Sequence, residues 1–243
     1  MDRTTCIVTG ALLALGLELA GGLAGLGYRQ GRLADRFVTV KGVAERDVQA
    51  DVALWPIRFV ATDDDLARAR EALAQSESAV RDFLARHGIP AEAAEVQQLE
   101  VTDVLANPYR SGPVQGSRFI IAETLMVRSL EPERVQAASQ AIGELVEAGV
   151  VLSAAGGAAA GPTYLFTGLT ELKPSLIAEA TANARRAAGQ FAADAGSRLG
   201  GIRRANQGLV VILPRDPAPG ASEESQRHKT VRVVATIDYF LTD

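Results

Sequence analysis

Residues 47–62 read DVQADVALWPIRFVAT, and this stretch decides the fold that the sequence predicts. Apolar side chains occupy every second position from Val48 to Leu54, and the alternation resumes on the other parity at Ile57. A period of two predicts a β-strand, because successive side chains of a strand point to opposite faces. The parity change around Pro56 predicts an edge position or a β-bulge, since proline cannot donate a ladder hydrogen bond.

Strand and helix patterns alternate outward from this stretch. Asp63–Asp65 predicts the N-cap of a helix that ends before Gly88 and Pro90. After the first strand, the order is β-α-β-β-α-β, the split β-α-β unit of ferredoxin-like folds. The predicted elements are strands at 37–42, 47–62, 95–105, 117–128 and 150–152 and helices at 66–86 and 131–148.

The C-terminal part of the chain predicts a long helix and a hairpin. The helix spans 173–199, with Pro174 near its start and Gly200-Gly201 at its end. A strand at 163–167 precedes it, and strands at 209–213 and 230–241 form the hairpin. We therefore expect an α+β domain over 37–243, preceded by a separate N-terminal segment over 1–36.

Small side chains form a ridge along the long helix. Ala180, Ala184 and Ala188 recur every four residues, and Phe191 is a larger neighbour. Such a ridge permits the close approach of another element. It indicates either an interface with another subunit or close packing on the sheet of the same chain, and we favour the second interpretation.

The hairpin loop, PRDPAPGASEESQRHK at 214–229, is long for its type. Its composition predicts a mobile excursion, because alanine is its only apolar side-chain type. We expect it to be available to partners or to neighbouring subunits. Its candidate contact residues are Arg215, Glu223, Glu224 and Arg227.

The N-terminal stretch Cys6–Gly27 is mainly apolar, and Glu18 is its only charged residue. As a helix it spans about 33 Å, enough for a hydrocarbon core of about 30 Å. This predicts a retained single-span membrane anchor. The alternative is a signal peptide that is cleaved, which releases the domain into the periplasm.

Composition excludes several functional classes. The chain carries 25 Lys+Arg and 29 Asp+Glu, a net charge of −4, without the basic block that nucleic-acid binding requires. One cysteine and two histidines cannot form a standard zinc site. The nucleotide-binding and hydrolase signatures are absent. We therefore expect no catalytic residue, no cofactor and no metal.

Carboxylates are the remaining candidates for chemistry. Glu45, Asp47 and Asp51 cluster around the second predicted strand. Asp47 and Asp51 share a strand face about 13 Å apart, which exceeds the separation that a glycosidase pair needs. A carboxylate-dependent reaction therefore stays an alternative function.

Three segments resemble the SIMPL-domain family of bacterial periplasmic and membrane-associated proteins. They are VTVKGVAERDVQADVALWPIRF at 38–59, the block at 163–208 that contains EATANARRAAGQFA, and KTVRVVATIDYFL at 229–241. The resemblance implies an α+β domain outside the cytoplasm, secreted or anchored at its N-terminus, that forms large ring-like homo-oligomers. It implies no catalytic residues, and for some members it implies a link to envelope or oxidative stress.

Two functions follow from these expectations. In the first, the chain is a non-enzymatic inner-membrane protein with a single span, whose periplasmic domain acts by homo-oligomeric assembly and binding. In the second, it is a periplasmic hydrolase or transferase that uses carboxylates such as Glu45 and Asp47. The missing catalytic motifs and the alanine ridge favour the first.

Overall fold

The structure is a computed structural model that describes residues 3–34, 36–106, 116–154, 161–220 and 222–242. The connection between the strands predicted at 95–105 and 117–128, and the one between the strands predicted at 150–152 and 163–167, lie largely outside the described residues. The helices are α1 Arg3–Ala34, α2 Leu66–Arg86, α3 Pro132–Gln140, α4 Gly143–Glu147 and α5 Leu169–Asp194. The strands are β1 Phe37–Gln49, β2 Val52–Asp63, β3 Ala94–Asp103, β4 Phe119–Ser129, β5 Val151–Leu152, β6 Thr163–Leu165, β7 Arg198–Pro214 and β8 His228–Thr242. The predicted α+β class is confirmed.

The chain forms two compact units. The terminal unit comprises Met1–Glu45, Pro174–Val210 and Arg232–Asp243. The central unit comprises Arg46–Lys173 and Val211–Val231.

The sheet of the central unit has the strand order β3-β4-β2-β5, and β6 also pairs with β2. All of these pairs are antiparallel, with Ile57 opposite Leu125 and Leu99 opposite Glu123. This is the order of a split β-α-β unit, as the sequence predicts. The core holds the large side chains Trp55, Phe59 and Phe83, each almost fully buried.

Among the described residues, β2 is locally an edge strand at Pro56, as the sequence predicts, while the β2–β4 register runs through this residue without the alternative, a bulge. Val52 and Ala53 are both buried, and from Ala53 to Ala61 the buried positions of β2 keep one parity. Pro56 faces Met126 on the β4 side. On the other side, β6 reaches Leu54 and β5 begins at Phe59, which leaves proline without a cross-strand partner there. The parity therefore changes at the start of β2, at Val52–Ala53, and not at Pro56.

The ends of α2 follow the local signals in the sequence. Asp65 is the N-cap, and its carboxylate accepts hydrogen bonds from the backbone N–H groups of Ala67 (2.8 Å) and Arg68 (3.1 Å). Gly88 follows the helix with φ +74°, which a residue with a Cβ rarely adopts. The helix predicted at 131–148 divides into α3 and α4.

In the terminal unit, β8 lies between β1 and β7. Arg36 accepts a backbone hydrogen bond from Leu241 (2.8 Å), and the Thr39 hydroxyl donates to Asp238 (2.8 Å). The residue number rises along β1 while that of its partner in β8 falls, so the two strands are antiparallel. Gly200 lies beside Phe240 and Gly208 beside Val234, so β7 is also antiparallel to β8.

Several predicted boundaries in the terminal unit differ from the structure. β1 does not end at Gly42 but continues to Gln49. α5 begins at Leu169, so Pro174 lies inside the helix, and Gly200-Gly201 belong to β7. β8 passes close to Gly200, where a Cβ would lie 3.0 Å from the carbonyl oxygen of Phe240, whereas a Cβ at Gly201 would meet no described atom within 4 Å.

The predicted span Cys6–Gly27 lies within α1. Its described side chains from Leu12 to Tyr28 are exposed. Among the helices of the described residues, none combines the length and the apolarity that crossing a membrane requires. The predicted transmembrane helix is therefore not supported.

Candidate functional site

The alanine ridge of α5 lies against β1. Ala180, Ala184 and Ala188 are completely buried. A Cβ built on Gly42 would lie 1.9 Å from the carbonyl oxygen of Ala180 and 2.5 Å from the backbone nitrogen of Ala184. The ridge therefore packs within its own unit. Phe191 is 59% exposed, and its role in an interface stays a prediction.

The hairpin loop is held by its own side chains. Lys229 is fully buried, and its ammonium group donates to the carbonyl oxygen (2.7 Å) and to the carboxylate of Glu223. The side chain of Gln226 donates to the carbonyl oxygen of Asp216 (2.7 Å). These contacts tie Asp216 to Gln226 and Glu223 to Lys229 within the loop, and its mobility and availability to partners stay a prediction.

The candidate contact residues of this loop have partners nearby. Arg215 pairs with Asp216 (2.9 Å), and Arg227 pairs with Glu133 (3.1 Å). Glu224 is exposed. Their contacts with other molecules stay a prediction.

The three carboxylates proposed for chemistry make structural contacts. Glu45 pairs with Arg232 (3.2 Å), and Asp47 accepts a hydrogen bond from the Thr230 hydroxyl (2.7 Å). Asp51 accepts from the backbone nitrogen (2.9 Å) and the hydroxyl (2.8 Å) of Thr167. Among the described residues, no group of three or more His, Cys, Asp or Glu side chains is arranged to hold a metal ion.

β7 is an edge strand of the three-stranded sheet in the part of the chain that the structure describes. Almost every residue of its terminal-unit part, 198–210, is exposed. Leu209 is 85% exposed and Ile202 is 53% exposed. This segment, residues 198–210, is called the β7 edge below. A long, exposed edge with apolar side chains is a template for pairing with another chain.

A second surface feature is a groove of the central unit between α2 and the strands β3 and β4. Its volume is about 360 Å³, within the range of small-molecule sites. It is mainly apolar, with three charged side chains: Arg70 and Glu77 from α2 and Glu123 from β4. The apolar lining residues are Leu66, Leu73, Ala74, Leu99, Val101 and Ile121.

Glu123 is the unusual member of this groove. Only 6% of the residue is exposed, and its Oε1 atom is buried without a hydrogen-bond partner among the described residues. Arg81 of α2 is nearby, but it donates to Glu77 (2.8 Å) and to the carbonyl oxygen of Ala94 (3.1 Å). An unpartnered buried carboxyl oxygen is costly to the fold, so Glu123 brings unused hydrogen-bonding capacity to this groove.

The pKa of the Glu123 carboxyl is raised above its ordinary value. Burial is the main cause, and repulsion from Glu77 adds to it, while Arg81 acts in the opposite direction. Perturbed carboxyls of this kind concentrate at functional sites.

Sequence reasoning missed Glu123, although a signal was present. In β4, Ile121, Leu125 and Val127 occupy the buried parity, and Glu123 stands on the same parity. A charged residue at a buried position of an alternating strand is the feature that identifies it.

The comparison with protein families accounts for most of the chain. The family described as "SIMPL: Protein of unknown function (DUF541)" matches residues 38–239. This match begins at the second residue of β1 and ends within β8. The chain belongs to the SIMPL family. The resemblance identified in the sequence is confirmed, and the family description assigns no function to this SIMPL domain.

Other comparisons add little to this SIMPL protein. No curated protein matches the chain. A similar solved structure is the regulatory subunit of aspartate kinase from Thermus flavus, at 18% identity, covering 82% of this chain and 89% of that chain. Its TM-score is 0.15, too low to support an argument about fold or function.

Burial of Glu123 predicts a pH-dependent stability of the SIMPL domain. The folded state raises the pKa of this carboxyl above the unfolded value of about 4.3, so the group favours folding at low pH. That contribution is lost as pH rises through the folded pKa. Relative to the wild type, the melting temperature of Glu123→Gln should therefore increase between about pH 4 and about pH 8.

The matched control is Glu95→Gln, an exposed residue of β3. Its melting temperature should follow that of the wild type across the same range. If the two variants show the same pH dependence, Glu123 does not titrate as its burial requires.

Proposed function

We propose that this SIMPL protein acts by homo-oligomeric assembly and binding outside the cytoplasm and does not catalyse a reaction. The observation that supports the proposal best is the β7 edge, with Leu209 85% exposed. The resemblance to a family of ring-like homo-oligomers supports it further. A role in envelope or oxidative stress, which that resemblance implies for some members, stays part of the proposal.

The physical argument rests on unpaired backbone groups. The outer N–H and C=O groups of an edge strand can pair with a strand of another copy. Exposed Ile202 and Leu209 supply apolar area whose burial favours association, by about 25 cal/mol per Å² before the entropic costs of association. In this proposal, a second copy of the chain covers the β7 edge.

The test is a charge placed on this edge. We expect Leu209→Lys to lower the native mass of the full-length protein toward that of one chain, 25.6 kDa, because a lysine at a contact must be desolvated. Light scattering coupled to size exclusion measures the mass. Leu130→Lys is the control, since Leu130 is 68% exposed and belongs to the central unit. An unchanged mass in Leu209→Lys would place the interface elsewhere.

Location is the second part of the proposal. We place the protein at the inner membrane, attached by its N-terminal helix as a single-pass anchor, with the main domain in the periplasm. Apolar side chains of α1 are exposed between Leu12 and Tyr28, and their burial against lipid would be favourable, which supports attachment through this helix. Cleavage of the segment and release into the periplasm is the alternative.

Export has a direct test. Alkaline phosphatase, which is active only after export, fused after Asp243 should give active enzyme in the membrane fraction. The same fusion without residues 1–36 is the control and should be inactive. A well-expressed but inactive full-length fusion would contradict export, and active enzyme in the soluble periplasmic fraction would indicate cleavage.

A further inference from the structure

The groove between α2 and β3–β4 combines features that point to one kind of ligand. Glu123 is more than nine-tenths buried and lines the groove, and its Oε1 atom has no hydrogen-bond partner in the part of the chain that the structure describes. It stands on the same strand parity as Ile121, which also lines the groove. The unsatisfied atom is an acceptor, so the missing partner is a hydrogen-bond donor.

We propose that this groove binds a small amphiphile with one primary ammonium group and an alkyl chain. The ammonium group donates to Glu123 at the carboxylate end of the groove. The alkyl chain lies against the apolar side chains that line the rest. This site is independent of the proposed assembly through the β7 edge, which belongs to the other unit.

The charges at one end of the groove favour a cation. Glu77 and Glu123 both line it, and they are close enough for Glu77 to raise the pKa of Glu123. Arg81 is directed to Glu77 and to the backbone of β3, so it does not satisfy Glu123. An ammonium group beside both carboxylates relieves their repulsion, and it forms charge-assisted hydrogen bonds, which are stronger than neutral ones.

The other end of the groove limits the ligand to one charge. Arg70 lies seven residues before Glu77 on α2, which is about 10 Å along the helix axis. A polyamine that reached from Glu123 toward Arg70 would place a second cation beside the guanidinium group. Between these ends the lining is apolar, with Leu73, Leu99 and Val101. An alkyl chain fits this lining, and a second ammonium group does not.

The ligand series on the wild-type protein is the first test. Isothermal titration calorimetry with the full-length chain, kept in an amphipathic polymer to exclude detergent, compares n-hexylamine, hexan-1-ol, hexanoate and spermidine at neutral pH. Loss of a charged hydrogen bond weakens binding about tenfold or more, so hexylamine should bind at least about tenfold more tightly than hexanol. Hexanoate and spermidine should bind more weakly than hexylamine.

Variants then assign the site. Glu123→Gln keeps the side-chain volume and should weaken hexylamine about tenfold or more, while hexanol binding stays the same. Glu95→Gln is the control and should bind hexylamine like the wild type. Hexylamine binding should also strengthen as pH rises through the raised pKa of Glu123, with Glu77, Arg70 and Arg81 as the charged groups around it.

Two results would overturn the proposal. The first is that the wild-type protein binds hexylamine and hexanol with equal affinity, or does not bind hexylamine. This result is obtained without any variant. The second is a folded Glu123→Gln protein that binds hexylamine as tightly as the wild type. Neither result bears on the native mass, so assembly through the β7 edge stands or falls separately.

Discussion

Replacing Gly42 by alanine is expected to prevent stable folding of the terminal unit. A Cβ at this position would lie 1.9 Å from the Ala180 carbonyl oxygen, 2.5 Å from the Ala184 nitrogen and 2.8 Å from the Ala184 Cβ. Two of these atoms are backbone, so β1 and α5 must separate. We expect a loss of about 3 kcal/mol or more in the free energy of unfolding, at or above the usual upper range for overpacking.

Gly189 supplies the matched control for this substitution. Gly189 lies in α5, and a Cβ at this position would meet no described atom within 4 Å. Alanine in a helix interior is favoured over glycine, so Gly189→Ala should raise stability by about 0.5–1 kcal/mol. Chemical denaturation measures both variants. Equal stability of Gly42→Ala and the wild type would mean that α5 does not pack on β1 as described.

The second large effect is expected at Glu223. Its carboxylate and carbonyl oxygen are the partners of the fully buried Lys229 ammonium. Glu223→Ala leaves that charge without its counter-ion, and removal of one partner of a buried pair costs about 3 to 5 kcal/mol. Since the Glu223 side chain is 27% exposed, we expect the lower end of this range.

Two further variants make the test specific. Glu224→Ala removes the exposed neighbouring carboxylate and should change stability by less than about 0.5 kcal/mol. Lys229→Met removes the buried charge while keeping an apolar side chain of similar length, so it should cost less than Glu223→Ala. If Glu223→Ala and Glu224→Ala have equal stability, the loop is not held by this pair.

Local signals in the sequence predicted local structure well. Asp65 and Gly88 mark the ends of α2 because a cap depends on a few neighbouring residues. The strand order of the central unit followed from the order of the elements, since few topologies join them with short connections. The alanine spacing in α5 predicted a tightly packed face, and Ala180, Ala184 and Ala188 are buried.

Features that depend on distant residues were not predicted. Gly42 was interpreted as the end of a strand, because the backbone of α5 that approaches it lies far along the chain. Lys229 was assigned to a mobile loop, although it shares the parity of Val231 and Val233, which are also buried. Glu123 shares the parity of Leu125 in the same way. In both cases the alternation of the strand predicts a buried position, but a charged residue is expected at the surface, so the position was interpreted as exposed.

The native mass of the full-length protein tests the central claim most directly. Light scattering of the wild-type chain, with the contribution of the stabilising polymer subtracted, should give a mass several times that of one chain, 25.6 kDa. That result is expected because an exposed edge such as β7, with Leu209 at its surface, is stable when another strand covers it. A single mass of 25.6 kDa at all protein concentrations would contradict assembly as the function of this SIMPL protein.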